Sequence, residues 1–119
     1  MARTFYRIIK SDQANGDDFL SNFARGRPPR HSEILNPEEH RSISVFARLE
    51  DALAVQAQFP RLGSSIAELE LADDDSEIVV RQAGDDPNDS HHNLLGEPAA
   101  FLRRVRRVFA IPPTADRGN

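Results

Sequence analysis

Ser42-Ile-Ser-Val-Phe-Ala-Arg-Leu-Glu-Asp-Ala-Leu-Ala-Val-Gln-Ala-Gln58 changes its hydrophobic period within a few residues. From Ser42 to Phe46 the residues alternate, so a strand here puts Ile43 and Val45 on one face and Ser42, Ser44 and Phe46 on the other. From Leu49 the spacing of Leu49, Leu53 and Ala57, with Ala52 and Val55, suits a helix packed on a sheet and ended by Pro60. Thr4-Phe-Tyr-Arg-Ile-Ile9 before this unit and Ser65-Ile-Ala-Glu-Leu-Glu-Leu71 after it complete the reading. It predicts a small single α+β domain over 1–111, with a mixed or antiparallel sheet of about five strands and two to four short helices.

Working outward, Phe5, Arg7 and Ile9 alternate with Tyr6 and Ile8, as in a largely buried first strand in which Arg7 is the exception. Ser11 to Gly16 is turn-rich. Asp17 or Asp18 then caps a helix that places Phe19, Leu20 and Phe23 on one side and ends near Gly26. Two prolines make Arg25 to Glu33 an irregular surface loop. Asn36-Pro-Glu-Glu opens one or two helical turns through Arg41. Ile66 to Leu71 and Glu77 to Gln82 read as strands across an acidic turn, predicted to pair as a hairpin. Residues 84 to 98, rich in Asp, Pro, Asn, Ser and His, read as a long loop, followed by a short helix from Glu97 and a last strand over Val105 to Ile111. Residues 112–119 are expected to form a disordered tail.

A chain of 119 residues can bury roughly 65 to 70% of its unfolded surface and needs no covalent staples. It contains no cysteine, which excludes disulfides, thiolate metal sites and cysteine nucleophiles and is compatible with the cytoplasm, the expected location. No secretory signal or apolar stretch of the ~18 residues that would span a bilayer is present, so a soluble protein is expected. A net charge of −4 argues against general nucleic-acid binding. The charge is nevertheless patterned. Fourteen of the fifteen cations are arginine, gathered at Arg25, Arg27 and Arg30 and again at Arg103, Arg104, Arg106 and Arg107, while acids gather at Asp73 to Asp75 and at Asp85 and Asp86. Each basic patch reads either as a holder of an anionic ligand or as solvated surface charge or ion pairs with the acidic loops.

Candidate site residues follow from cost and chemistry. An arginine inside an apolar strand, Arg7, requires a carboxylate, a carbonyl or a ligand phosphate for its fork. Ser44 and Phe46 offer a hydroxyl and an aromatic wall on one strand face. Glu68 and Glu70 share a face as paired acid–base carboxylates do, and also as solvent-side acids do. His91 and His92 point apart in extended structure, and with Asp89 and Glu97 they resemble a metal site only loosely, so no metal is assigned. His31 and His40 read as surface residues.

Phe5-Tyr-Arg-Ile, Arg25-Gly-Arg, Ile43-Ser-Val-Phe with Leu49-Glu-Asp-Ala-Leu-Ala, and Ile66-Ala-Glu-Leu-Glu-Leu together resemble a shortened RES-type domain, of the ADP-ribosyltransferase-like class. The likeness spans residue 5 to about 71. Members of that class include NAD-consuming toxins of toxin–antitoxin pairs. The resemblance implies NAD as substrate, with Arg7 on its pyrophosphate, Arg27 assisting, and Ser44 and Phe46 lining the nicotinamide pocket. It also implies an antitoxin-like or operon-encoded protein partner. Two departures stand out: the family's tyrosine is Phe46 here, and Gln56, Ala57 and Gln58 supply no glutamate late in the helix. Glu68 or Glu70 would then have to stabilise the developing cation. Over its full length the chain also looks like small bacterial proteins that share Tyr-Arg-Ile and Gly-Arg-Pro-Pro-Arg, a likeness that implies no activity. An NAD-using transferase or glycohydrolase therefore stands beside a non-catalytic module that meets a protein partner through its arginine-rich loop, the 84 to 98 loop or a sheet edge.

Overall fold

The computed structural model describes residues 2–84, 86 and 89–112; of the expected tail, only Pro112 falls among the described residues. Six strands form one sheet: β1 (Arg3–Ile9), β2 (Ile43–Phe46), β3 (Ser65–Leu71), β4 (Val79–Gln82), β5 (His91–Leu95) and β6 (Val105–Ala110). Their order is β4-β5-β2-β1-β3-β6 and every pairing is antiparallel. Four helices accompany them: α1 (His31–Leu35), α2 (Pro37–His40), α3 (Leu49–Gln58) and α4 (Pro98–Arg103). The fold is a single α+β domain, with one strand more than the sequence led us to expect.

Side chains opposite one another in an antiparallel pair share a face, so the register sorts the sheet. Phe5, Ile9, Val45, Leu69, Leu71 and Leu94 lie on one face, where Phe19 and Phe101 close the core over them. The rings of Phe19 and Phe101 sit 6.1 Å apart, which joins the turn after β1 to α4. Truncating either buried phenylalanine costs about 3 to 5 kcal/mol. The opposite face carries Tyr6, Ile66 and Phe46, and α3 packs there with Ala52 fully buried. The switch of period at residues 42 to 58 is realised as β2 running into α3, which Pro60 follows.

Four local readings are corrected. Asn15, rather than Asp17 or Asp18, caps the element after β1. It forms a capping box with Asp18, and the element is a four-residue 3-10 turn, Gly16–Phe19, instead of a helix reaching Gly26. Phe19 is consequently buried while Phe23 is exposed. The irregular loop is shorter than expected, because His31 already begins α1. β3 does not pair with β4: it lies between β1 and β6, whereas β4 pairs with β5. The acidic turn carries the chain away from β3, held by Asp75, whose carboxylate accepts the N–H groups of Glu77 and Ile78. Finally, the 84 to 98 stretch contains β5, a central strand hidden by its polar composition, in which Asn93 and Leu94 are buried.

Candidate functional site

The β1–β2 ladder closes at Tyr6↔Phe46 alone. Continued in register, it would pair Arg7 with Val45 and Ile8 with Ser44; the strands open there instead. Arg7 occupies the opening. Its Nε donates to the carbonyl of Asp18 at 2.8 Å and its Nη1 to the carbonyl of Ser44 at 2.8 Å. One guanidinium thus ties the 3-10 turn to β2. By surface area the residue is only half-buried, yet burial of its charged end is the largest influence on it. That burial and the charge of Arg25, opposed by Asp18, lower its pKa to about 10, and it is still protonated at neutral pH.

The other predicted residues divide across the sheet. Ser44, Phe46, Glu68 and Glu70 share the face opposite the Phe5–Ile9 core positions among which Arg7 is placed. Phe46 and Glu68 flank Tyr6 on that face, two strand spacings or roughly 10 Å apart. Arg7 therefore meets the backbone of Ser44 and not its hydroxyl. Glu68 is buried and accepts from Nε and Nη2 of Arg107, both at 3.1 Å; Glu70 accepts from Arg106 at 3.3 Å. Arg27 stands apart, on the excursion between residues 20 and 41, where its Nη1 reaches Asn22 at 3.5 Å.

The two arginine clusters prove electrostatically different. In the C-terminal cluster, Arg104 grips Asp75 through two bonds of 2.7 and 3.0 Å and also reaches Glu77 at 2.9 Å. Arg103 pairs with Glu77, Arg106 with Glu70 and Arg107 with Glu68. Hydrogen bonding from Arg104, working against burial, holds the Asp75 carboxyl below the usual range. Hydrogen bonds from Arg103 and Arg104 do the same for Glu77. This cluster is spent on the fold.

The other cluster is not. Only Arg30 has a carboxylate, that of buried Glu33 at 3.2 Å. Burial raises the Glu33 pKa, but the Arg30 N–H and the side chains of Asn22 and Arg30 outweigh it and leave the group below its ordinary value. Arg25 instead donates to the carbonyls of Asp17 and Leu20. Arg41 lies over the ring of Phe23 at 3.7 Å, and His40 meets the same ring edge-on. Among the described residues, Arg25, Arg27 and Arg41 have no carboxylate within ion-pair distance. Nearby, α1 leaves Ile34 62% and Leu35 75% exposed. The sequence reading passed over Ile34, Leu35 and Arg41; their signal was two large apolar residues beside an arginine-rich loop.

The adjacent histidines part company as extended backbone requires. His91 stacks on Phe46 at 5.3 Å, whereas His92 meets Phe5 on the other face and its Nδ1–H donates to the carbonyl of Ser90. The Nε2 of His91 is buried without a hydrogen-bond partner. Burial, aided by His92 and opposed by Asp89 and Glu39, lowers the His91 pKa. Among the described residues no group of three or more His, Asp or Glu side chains is gathered to hold a metal, and no helix is long and apolar enough to cross a membrane.

No protein-family model, curated protein or solved structure matches this chain.

Proposed function

We propose that this protein is a non-catalytic interaction module whose 20–41 excursion docks an acidic, partly apolar segment of a partner protein. The observation that carries this reading is the contrast between the clusters: four C-terminal arginines are matched to acids, while Arg25, Arg27 and Arg41 are not. Ile34 and Leu35 supply apolar contact area beside those charges. A net charge of −4 does not oppose such a partner, because at physiological salt charges beyond ~8 Å are screened and the local patch governs docking.

On this reading the likeness to RES-type domains extends to the fold and not to NAD chemistry. What supports the distinction is that Ser44, Phe46 and the glutamates lie on the face opposite Arg7 and that Glu68 is held by Arg107.

Selection of a displayed random-peptide library against the immobilised protein tests the proposal. Enriched peptides should combine Asp or Glu with Leu, Ile or aromatic residues, and should be lost with an Arg27→Glu/Arg41→Glu variant. Enrichment without acidic bias, or with equal recovery on the variant, would sink it.

A further inference from the structure

A cavity of about 210 Å³ at the end of β1 is lined by Arg7, Lys10 and Arg25 together with Asn15, Asp17 and Asp18. Both arginines are aimed by carbonyl groups, Arg7 by those of Asp18 and Ser44 and Arg25 by those of Asp17 and Leu20. Carbonyls fix a guanidinium's direction without cancelling its charge. The nearest buried acid, Asp18, directs one carboxylate oxygen to the Ser11 hydroxyl at 3.1 Å and the other to the Asn15 N–H at 3.0 Å. Neither oxygen is in an ion pair with Arg7 or Arg25.

Arg7 keeps donors in reserve. Among the described residues its Nη2 makes no hydrogen bond, and the one buried polar side-chain atom there without a partner is His91 Nε2. Nη2 is therefore not fully enclosed, and Arg7 is part of the cavity lining. Two like charges held close together are costly, and an anion between them removes that cost.

We propose that this cavity binds a compact tetrahedral dianion, a phosphate group held between the guanidiniums of Arg7 and Arg25 with Lys10 as a third cation. Three cationic side chains on one lining suit a tetrahedron of acceptors better than a flat carboxylate. The volume lies below the ~300 to 1,000 Å³ of sites that hold drug-sized ligands and suits a phosphate group. A wider cleft of about 690 Å³ shares Lys10, Ser11 and Asn15 with the cavity and gives room to the organic part of a phosphomonoester. The proposal shares Arg25 with the peptide-docking surface, which is tested separately at Arg27 and Arg41.

NMR titration of the intact protein with inorganic phosphate, phosphoserine and acetate tests it, following the Nε–H resonance of Arg7. Phosphate is expected to shift that resonance saturably and acetate is not. Arg25→Ala and Lys10→Ala, both at exposed positions, should each weaken phosphate binding roughly tenfold while the protein stays folded. Tighter binding of phosphoserine than of phosphate identifies a phosphomonoester as the ligand; equal binding identifies free phosphate. An Arg7 resonance unmoved by phosphate, an equal response to acetate, or unchanged affinity in the Arg25→Ala variant overturns the assignment.

Discussion

The Nη1 of Arg7 lies 2.8 Å from the carbonyl oxygen of Ser44, across the place where the β1–β2 ladder has opened. A side chain here replaces hydrogen bonds that backbone would otherwise make. The arginine that looks anomalous in an apolar strand is thus a structural brace first.

Replacing Arg7 by Ala removes two charge-assisted bonds and leaves the Asp18 and Ser44 carbonyls short of a partner. Each such bond is worth about 1.5 to 3 kcal/mol, so urea denaturation should show a loss of about 3 kcal/mol or more. Arg7→Lys should recover less than half of it, because a single ammonium does not reproduce the fork. The folded wild type should release no nicotinamide from NAD; turnover abolished in a folded Arg7→Ala protein would restore the transferase reading.

Gly63 has φ +153°, and a Cβ there would collide with the carbonyl of Ile9, backbone against backbone. Neither side can yield cheaply, because the contact lies where the end of β1 meets the start of β3. Gly63→Ala should cost more than about 3 kcal/mol or prevent folding, read out by thermal melting. A melting temperature within a few degrees of wild type would contradict this geometry.

Asp75 and Arg104 form the most enclosed ion pair among the described residues, with side chains 6% and 17% exposed. Removing one partner of such a pair costs about 3 to 5 kcal/mol, so Asp75→Asn should be strongly destabilising, whereas Glu70→Gln, at the exposed Arg106 pair, should cost no more than about 1 kcal/mol. The Asp75 carboxyl is depressed in the fold. Its contribution is therefore complete above the ordinary aspartate value and is lost as pH falls through the lower folded value. Equal acid sensitivity of wild type and Asp75→Asn would refute the assignment.

His91 gives a second, milder pH window. Its pKa is lowered in the fold by burial, so the unfolded chain takes up a proton first. Stability should be level above the ordinary histidine value of about 6.5 and should fall as pH drops below it, until the folded pKa is passed. His91→Phe keeps a ring on Phe46 and removes the titration. Urea midpoints at pH values on either side of the window should converge for the variant and differ for wild type.

How much of this was legible in the sequence depended on the range of the interactions. Ser42 to Gln58 was readable because its period is local, and Pro60 marks its end. β5 was not, since His91, His92 and Asn93 place polar groups on both faces and leave Leu94 as its fully buried apolar residue. The pairing of β3 with β1 and β6 is set by a core that spans the chain, not by the acidic turn beside it. The fate of the arginines was equally hidden. Arg104 finds Asp75 across 29 residues and Arg107 finds Glu68 across 39, so sequence neighbours could not show which cluster is neutralised. Arg7 was legible as a residue needing partners, and the carbonyls that satisfy it appear only once the 3-10 turn and β2 are folded against β1.

The most direct measurement is the affinity of a selected acidic–apolar peptide, labelled and titrated with wild type and with Arg27→Glu/Arg41→Glu at low and at physiological ionic strength. The account predicts saturable binding that weakens as salt rises and drops by at least about a hundredfold in the variant, two charge contacts being worth about 3 kcal/mol together. Binding that ignores both salt and charge reversal would contradict the claim that this arginine-rich excursion is where the protein meets its partner.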